Sequence, residues 1–246
     1  MATISLEQTL VLIKPDALKN SLTGYILSTL SGFHTGLFLA ASKIVNVSPL
    51  LAEEHYAEHR GKVFFPSLID YLLGRLHYPE EPWKRRVIAL VYQGIDAASK
   101  IRSYAGPTNP HAARQERPGC IRSLGAAIPI TDAQGRVVGQ RMENLLHTSA
   151  DIKEAEREIQ LWFKPNDIPP LMRAYPTEIS DAFYYVKDLK LLTNYEPGST
   201  CLLAPGDTAW KSDIESLRLL AENKSATRPL TAVAAKYLIN EEQVPL

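Results

Sequence analysis

At 246 residues the chain is long enough for one large domain, or for a domain of about 150 residues with an addition. Hydrophobic residues make up 45% and charged residues 22%, which excludes a disordered chain or a coiled coil. Lys+Arg and Asp+Glu both number 27, so the whole molecule offers little attraction to a nucleic-acid backbone or to anionic lipid, and any anion site must be local.

The N-terminal Met-Ala-Thr-Ile-Ser-Leu-Glu-Gln lacks the basic-then-apolar pattern of a signal peptide. No apolar run approaches the ~20 residues of a membrane span. Cys120 and Cys201 are too few for a disulfide framework or a four-ligand metal site. A cytoplasmic protein is expected.

Residues 9–13 are a short apolar run that meets Lys14, Pro15 and Asp16 at once, the pattern of a buried strand ending in charged groups. Tyr25, Ile26, Leu27 and Leu30 predict a helix closed by Gly32, and residues 37–47 predict a second strand. Ser48 before Pro49 marks the start of a helix carrying Glu54, His55 and Tyr56. From Phe64 another helix runs through Leu68, Ile69, Leu72 and Leu73. Residues 75–85, with two prolines and mixed charges, read as a surface excursion. Residues 87–92 give the next strand, ended by Gly94, and Asp96 is placed to cap a helix that delivers Arg102. The stretch 106–119 has no periodicity and reads as a long loop, of the kind that is functional or disordered. Residues 128–138 read as a hairpin around an Asp-Ala-Gln-Gly turn.

After His147, the residues Ile152, Ala155, Ile159 and Trp162 recur at helical spacing, with Lys153, Glu154, Arg157 and Glu158 on the other faces. Thr148 and Ser149 are candidate N-caps, and Asp151 is placed to close a capping box on Thr148. His147 therefore precedes a helix N-terminus, where free N–H groups and the dipole favour phosphate oxygens beside an imidazole able to act as nucleophile. A histidine so placed is more often structural. The basic groups Lys14, Arg102 and Arg122, with Thr108 and Asn144 as hydrogen-bonding neighbours, add the weight, because a polyphosphate needs several fixed positive donors. No G-x-x-x-x-G-K-[ST], G-x-G-x-x-G, H-E-x-x-H or G-x-S-x-G stretch occurs, so a nucleotide must be held by side chains.

The order of elements predicts an α+β chain, a ferredoxin-like α/β sandwich with an antiparallel sheet covered by helices. Beyond Lys164 the texture changes, interrupted by Pro165, Pro169, Pro170, Pro176, Pro197 and Pro205. Two later segments read as helices, one after Ser212 with Glu215 as its capping-box partner, the other over residues 229–240. These signs divide the chain into 1–165 and a C-terminal extension, 166–246.

The ordered motifs Leu-Ile-Lys14-Pro-Asp, His55-Tyr56, Phe64-Phe-Pro-Ser-Leu68, Arg102, Gly-Pro-Thr108-Asn-Pro, Arg-Pro-Gly-Cys-Ile-Arg122, Asn144-x-x-His147 and Glu158-Ile-x-Leu-Trp-Phe163 closely resemble nucleoside diphosphate kinases over roughly residues 6–165. The resemblance implies a ferredoxin-like fold and phosphoryl transfer from a nucleoside triphosphate to a diphosphate, by a ping-pong route through a phosphorylated His147. It implies that Lys14, Arg102, Thr108 and Arg122 hold phosphates, that Asn144 and Lys14 contact the ribose, and that Phe64 stacks on the base beside Leu68. Tyr56 and Glu158 match positions that bond to and orient the histidine. Magnesium is expected through the nucleotide phosphates, with no protein metal site, and a homo-oligomer is expected. The family usually has Gly-Ser-Asp after the histidine, whereas this chain has Thr148-Ser149-Ala150. The segment around Trp83 and the hairpin around Gly135 are insertions, and the loop between Asn109 and Pro118 is longer than usual.

Two other functions compete with the kinase. Loss of the acid at Ala150 and the added C-terminus suit a nucleotide-binding regulatory module that signals through its extension, and a nucleic-acid role is disfavoured by the zero net charge. The extension carries no catalytic constellation and is too small to bury a stable core alone, so it is expected to pack on the catalytic domain or a neighbouring subunit. An unperturbed His147 would lose activity as pH falls through ~6.5.

Overall fold

The computed structural model describes residues 6–240; residues 1–5, most of the segment read for a signal peptide, and 241–246 lie outside it. Strand β1 (Glu7–Ile13) leads through α1 (Pro15–Lys19), α2 (Thr23–Thr29) and α3 (Gly32–Thr35) to β2 (Phe38–Val45). Helices α4 (Pro49–His55) and α5 (Phe65–Leu72) follow, then β3 (Val87–Gly94), α6 (Ala97–Ala105) and α7 (Pro110–Glu116). The hairpin β4 (Ala126–Thr131) and β5 (Val137–Glu143) precedes β6 (Leu146–Thr148) and α8 (Ile152–Trp162).

The main sheet has the order β2-β3-β1-β6, with every neighbouring pair antiparallel, and its helices cover both faces. This is the expected ferredoxin-like arrangement. Along β1, Leu10 and Leu12 enter the core under α4 and α8, while Val11 and Ile13 enter the core under α1, α2 and α6. A strand buried on both faces has no polar alternation, which is why its sequence is an unbroken apolar run. The pairing of β1 with β6 sets Leu12 opposite His147, so the most buried strand fixes the position of the histidine.

Several local features differ from the sequence reading. Residues 106–119 contain α7, whose Asn109 side chain accepts from His111 N and Ala112 N while Pro110 fills the first turn. Seven mixed residues are too few to show periodicity. Thr148 lies in β6, and Asp151 caps α8 by accepting from Glu154 N. Gly32 opens α3, and Asp96 precedes α6 without a side-chain cap.

The remaining segment adds β7 (Thr177–Ile179), β8 (Tyr184–Lys187), β9 (Lys190–Leu192), β10 (Thr200–Leu203), β11 (Thr208–Trp210), α9 (Lys211–Ala221) and α10 (Leu230–Ala234). Val186, Leu202, Leu203, Ile214, Leu217 and Val233 form a separate small core there. Trp210 and Ala235 instead join the core of Leu51, Ile159, Trp162 and Phe163 under α4 and α8. The Trp210 indole donates to Phe163 O at 2.7 Å, and Asn240 Nδ2 donates to Val47 O at 2.7 Å. Gln160 Oε1 accepts from Ser212 Oγ at 2.6 Å and from Arg228 Nη1 at 2.7 Å. The Ser212 hydroxyl is therefore drawn to α8, and α9 starts at Lys211 without the Ser212–Glu215 capping box. The helix read over 229–240 is limited to α10, because Lys236 Nζ turns to Asp213 Oδ2 at 2.8 Å and Val233 O at 3.1 Å.

Candidate active site

The residues singled out in the sequence converge on a cavity of about 460 Å³, lined by Lys14, Tyr56, Phe64, Leu68, Arg102, Thr108, Arg122, Asn144, His147 and Glu158. Thr148 of β6 and Ala150 also reach it. None of the expected site residues lies elsewhere.

Lys14 leaves the end of β1 with its side chain buried, and its Nζ donates to Asn144 Oδ1 at 2.9 Å. Burial lowers its pKa to about 7 against the pull of Asp16, and Arg122 adds to the drop. Asn144 Nδ2 donates to Thr108 O at 2.8 Å, so both ends of this buried amide are engaged inside the protein. Next to it, Leu145 has φ +72, a left-handed backbone that costs a non-glycine residue about 1–3 kcal/mol. Two bonds hold it there: Asp16 Oδ2 accepts from Leu145 N at 2.9 Å, and Lys14 N donates to Leu145 O at 2.9 Å. The turn faces Asn144 toward Lys14 and sends His147 into the sheet.

His147 Nε2 lies 2.8 Å from Glu158 Oε1, a short contact that is off the ideal hydrogen-bond axis, as that nitrogen has no well-aligned partner. Glu158 is fixed in turn by Ser149, whose hydroxyl donates to Glu158 Oε2 at 2.6 Å and accepts from Leu10 N at 3.1 Å. The buried His55 ring stands perpendicular to His147, with centroids 4.4 Å apart, and its Nδ1 accepts from Trp162 Nε1 at 3.2 Å. Tyr56 is edge-on to His147 at 6.3 Å between centroids and makes no hydrogen bond to it. Burial, then Lys14, Arg122, Arg157 and Arg102, holds the His147 pKa well below its ordinary value, so the imidazole is neutral. His55 is likewise held neutral, by burial and by His147.

Arg122 is buried, and its Nη1 and Nη2 donate to Gly106 O at 2.8 Å and Leu146 O at 3.4 Å. Only glycine fits at 106: φ is +83, and a Cβ would stand 2.2 Å from Cys120 Sγ. Burial, reinforced by Arg102, lowers the Arg122 pKa to about 10. Among the described residues no carboxylate pairs with Lys14, Arg102 or Arg122. Arg102 and Thr108 are exposed at the rim, while Phe64 and Leu68 form a half-buried apolar wall.

Several members had no clear mark in the sequence. Asp16, His55 and Ser149 act through partners more than 100 residues away or across α8, and Gln140, Arg141 and Met142 reach the cavity from the hairpin. Asp16 and His55 were marked only as members of the Lys14-Pro-Asp and His55-Tyr56 motifs, and Ser149 only as a candidate cap. By distance alone His55, His147 and Glu158 could hold a metal ion, their ligand atoms lying within 4.8 Å of one another. The four cations that depress His147 oppose a cation there and suit an anion instead.

A family model described as "Nucleoside diphosphate kinase" matches residues 7–168. The chain is 36% identical over 185 residues to a "Nucleoside diphosphate kinase" of Thermococcus kodakarensis, covering 75% of this chain and 90% of that one. It is 39% identical over 158 residues to one of Clostridium perfringens, covering 64% and 92%. The crystal structure of the Aquifex aeolicus nucleoside diphosphate kinase is similar at a TM-score of 0.53 and 28% identity, covering 67% of this chain and 100% of that one. With the motifs gathered in one cavity, this chain belongs to the nucleoside diphosphate kinase family of nucleotide phosphotransferases.

Proposed function

We propose that the chain carries a phosphoryl group from a nucleoside triphosphate to a nucleoside diphosphate through His147, in two half-reactions. The observation that carries this reading is a neutral imidazole surrounded by Lys14, Arg102 and Arg122, none with a carboxylate partner among the described residues. Lys14 and Arg122 are buried, where cations without counter-charges are costly, and a polyphosphate supplies the missing anions. Glu158 faces Nε2, which leaves Nδ1 as the attacking nitrogen. The Nδ1 lone pair forms the N–P bond as the bond from phosphorus to the β-phosphate oxygen breaks, and the diphosphate leaves. Positive charge that develops on the ring is stabilised by Glu158, itself held by Ser149. In the second half a terminal oxygen of another diphosphate attacks phosphorus, and the N–P bond breaks. Phe64 with Leu68 offers a stacking face, which every base can use.

Magnesium would neutralise phosphate oxygens as the group moves. With Ala150 where the family has an acid, Glu158 committed to His147 and Glu154 paired with Arg157 at 2.9 Å, Glu58 is the cavity carboxylate best left to meet its water shell. We assign catalysis to residues 1–165 and a supporting role to 166–246. Strand β2 lies at the sheet edge with Phe38 66% and Ile44 67% exposed, which favours assembly into a homo-oligomer. Ala150 is also what favours the second reading, a regulatory nucleotide binder with weak transfer. Radiolabelled triphosphate followed by a chase with a different diphosphate decides between them: label that leaves the protein in the chase supports transfer, and a protein that binds nucleotide but never takes label is the regulator.

Arg122→Ala and Arg102→Ala should each lower the transfer rate by roughly 10²–10³-fold, the cost of removing a donor aimed at developing charge. Single-turnover kinetics reads this, and unchanged rates in both would place the chemistry elsewhere. The pH profile of kcat/KM should stay level as pH falls through 6.5, since His147 is already neutral there. It should instead decline as pH rises through about 7, where free Lys14 loses its proton and its charge. A fall centred near ~6.5 on the acid side would mean an ordinary histidine.

A further inference from the structure

Two segments absent from the family motifs meet beside the cavity, and one of them, the hairpin, lines it. The hairpin of β4 and β5 touches the excursion 75–85 where His77 Nε2 lies 3.2 Å from Glu143 Oε2. Arg141 then fastens the hairpin to α5. Its Nε and Nη2 donate to Glu143 Oε1 at 3.2 and 2.6 Å, and its Nη1 donates to Ser67 Oγ at 2.8 Å. Ser67 stands beside Leu68 on α5, which Phe64 precedes, so β5 is held against the apolar wall of the cavity. Gln140, Arg141 and Met142 line the same space as Phe64 and Leu68. Side chains alternate along a strand, so Gln140 and Met142 share one face, and Arg141 and Glu143 the other. The Gln140 side chain is exposed and makes no hydrogen bond to the described residues.

We propose that this hairpin is a base-reading wall, with Met142 covering the base and Gln140 distinguishing 6-aminopurine from 6-oxopurine nucleotides. The inference rests on the cavity being a nucleotide site. A stacking face alone tolerates any base, whereas an amide carries a donor and an acceptor in one plane. It makes a two-point pair with the N6–H and N7 of adenine, but guanine shows two acceptors, O6 and N7, on that edge. A guanidinium would match guanine. Arg141 does not serve, because three of its donors are committed and its side chain is only 13% exposed. The soft thioether of Met142 adapts to a flat ring without adding selectivity.

Calorimetric binding of ADP and GDP to the full chain tests this without a transfer step. ADP should bind roughly tenfold more tightly than GDP, within the range a two-point base contact provides. Gln140→Ala should equalise the two dissociation constants, and Gln140→Arg should reverse their order; the position is exposed, so neither change threatens the fold. Equal binding to the unaltered chain, or a preference that survives Gln140→Ala, overturns the base-reading wall and leaves the nucleotide site standing. Failure of both nucleotides to bind overturns the nucleotide site and this inference with it.

Discussion

His147→Ala is expected to lower phosphoryl transfer by on the order of 10⁶-fold, the scale seen when a nucleophile is removed, while nucleotide binding persists. Binding should survive because the groups assigned to phosphate, Lys14, Arg102 and Arg122, belong to other elements, and β6 remains paired to β1 through its backbone. In the unaltered chain the label from a triphosphate should be lost in acid and retained in base, as expected of a phosphorylated imidazole. Label that persists in His147→Ala, or that resists acid, would move the acceptor to another residue. Glu158→Gln should retain labelling at a reduced rate, since the amide can still face Nε2 but carries no charge.

The largest effect on stability is expected from Trp210→Ala. The Trp210 side chain is fully buried in the same core as Leu51, Ile159 and Trp162, and its indole holds the carbonyl of Phe163 at the end of α8. Truncating a buried tryptophan leaves a cavity and costs about 3–5 kcal/mol. For a chain of this size that lowers Tm by roughly 10 °C. Asp213→Ala should weaken the same region, because it leaves Lys236 and Arg228 without their common carboxylate. An unchanged Tm in Trp210→Ala would mean that residues 166–240 do not brace α8. Activity measured well below the Tm should be largely retained, as no residue of that segment lines the cavity.

The parts legible in the sequence were those fixed by local chemistry. The apolar run of β1, the Ser48-Pro49 start of α4 and the spacing of Ile152, Ala155, Ile159 and Trp162 each announce their element, and the motif order brings the site residues into view together. The capping residues were harder to read, because a hydroxyl goes where its best partner lies. Ser149 looks like a cap, yet its hydroxyl bridges Glu158 and Leu10; Ser212 looks like a capping box, yet it serves Gln160. Asn144 reads as a ligand-binding amide, and its bonds to Lys14 and Thr108 O have no mark in the sequence. The strands β7 to β11 are three or four residues long between prolines, too short for alternation to register. The depressed titration of His147 arises from burial and then from cations on separate elements, and has no signature in its own neighbourhood.

The bond from Asn240 to Val47 joins residues 193 positions apart. During synthesis the α4–α8 face therefore emerges long before the segment that covers it. At about 5–20 residues per second, the stretch from residue 166 to Asn240 takes roughly 4–15 s to be made. For that interval Leu51, Ile159 and Phe163 lack the full cover that Trp210 and Ala235 later give them. Apolar surface left open in this way is what holding chaperones bind, and slow codons after residue 165 would lengthen its exposure.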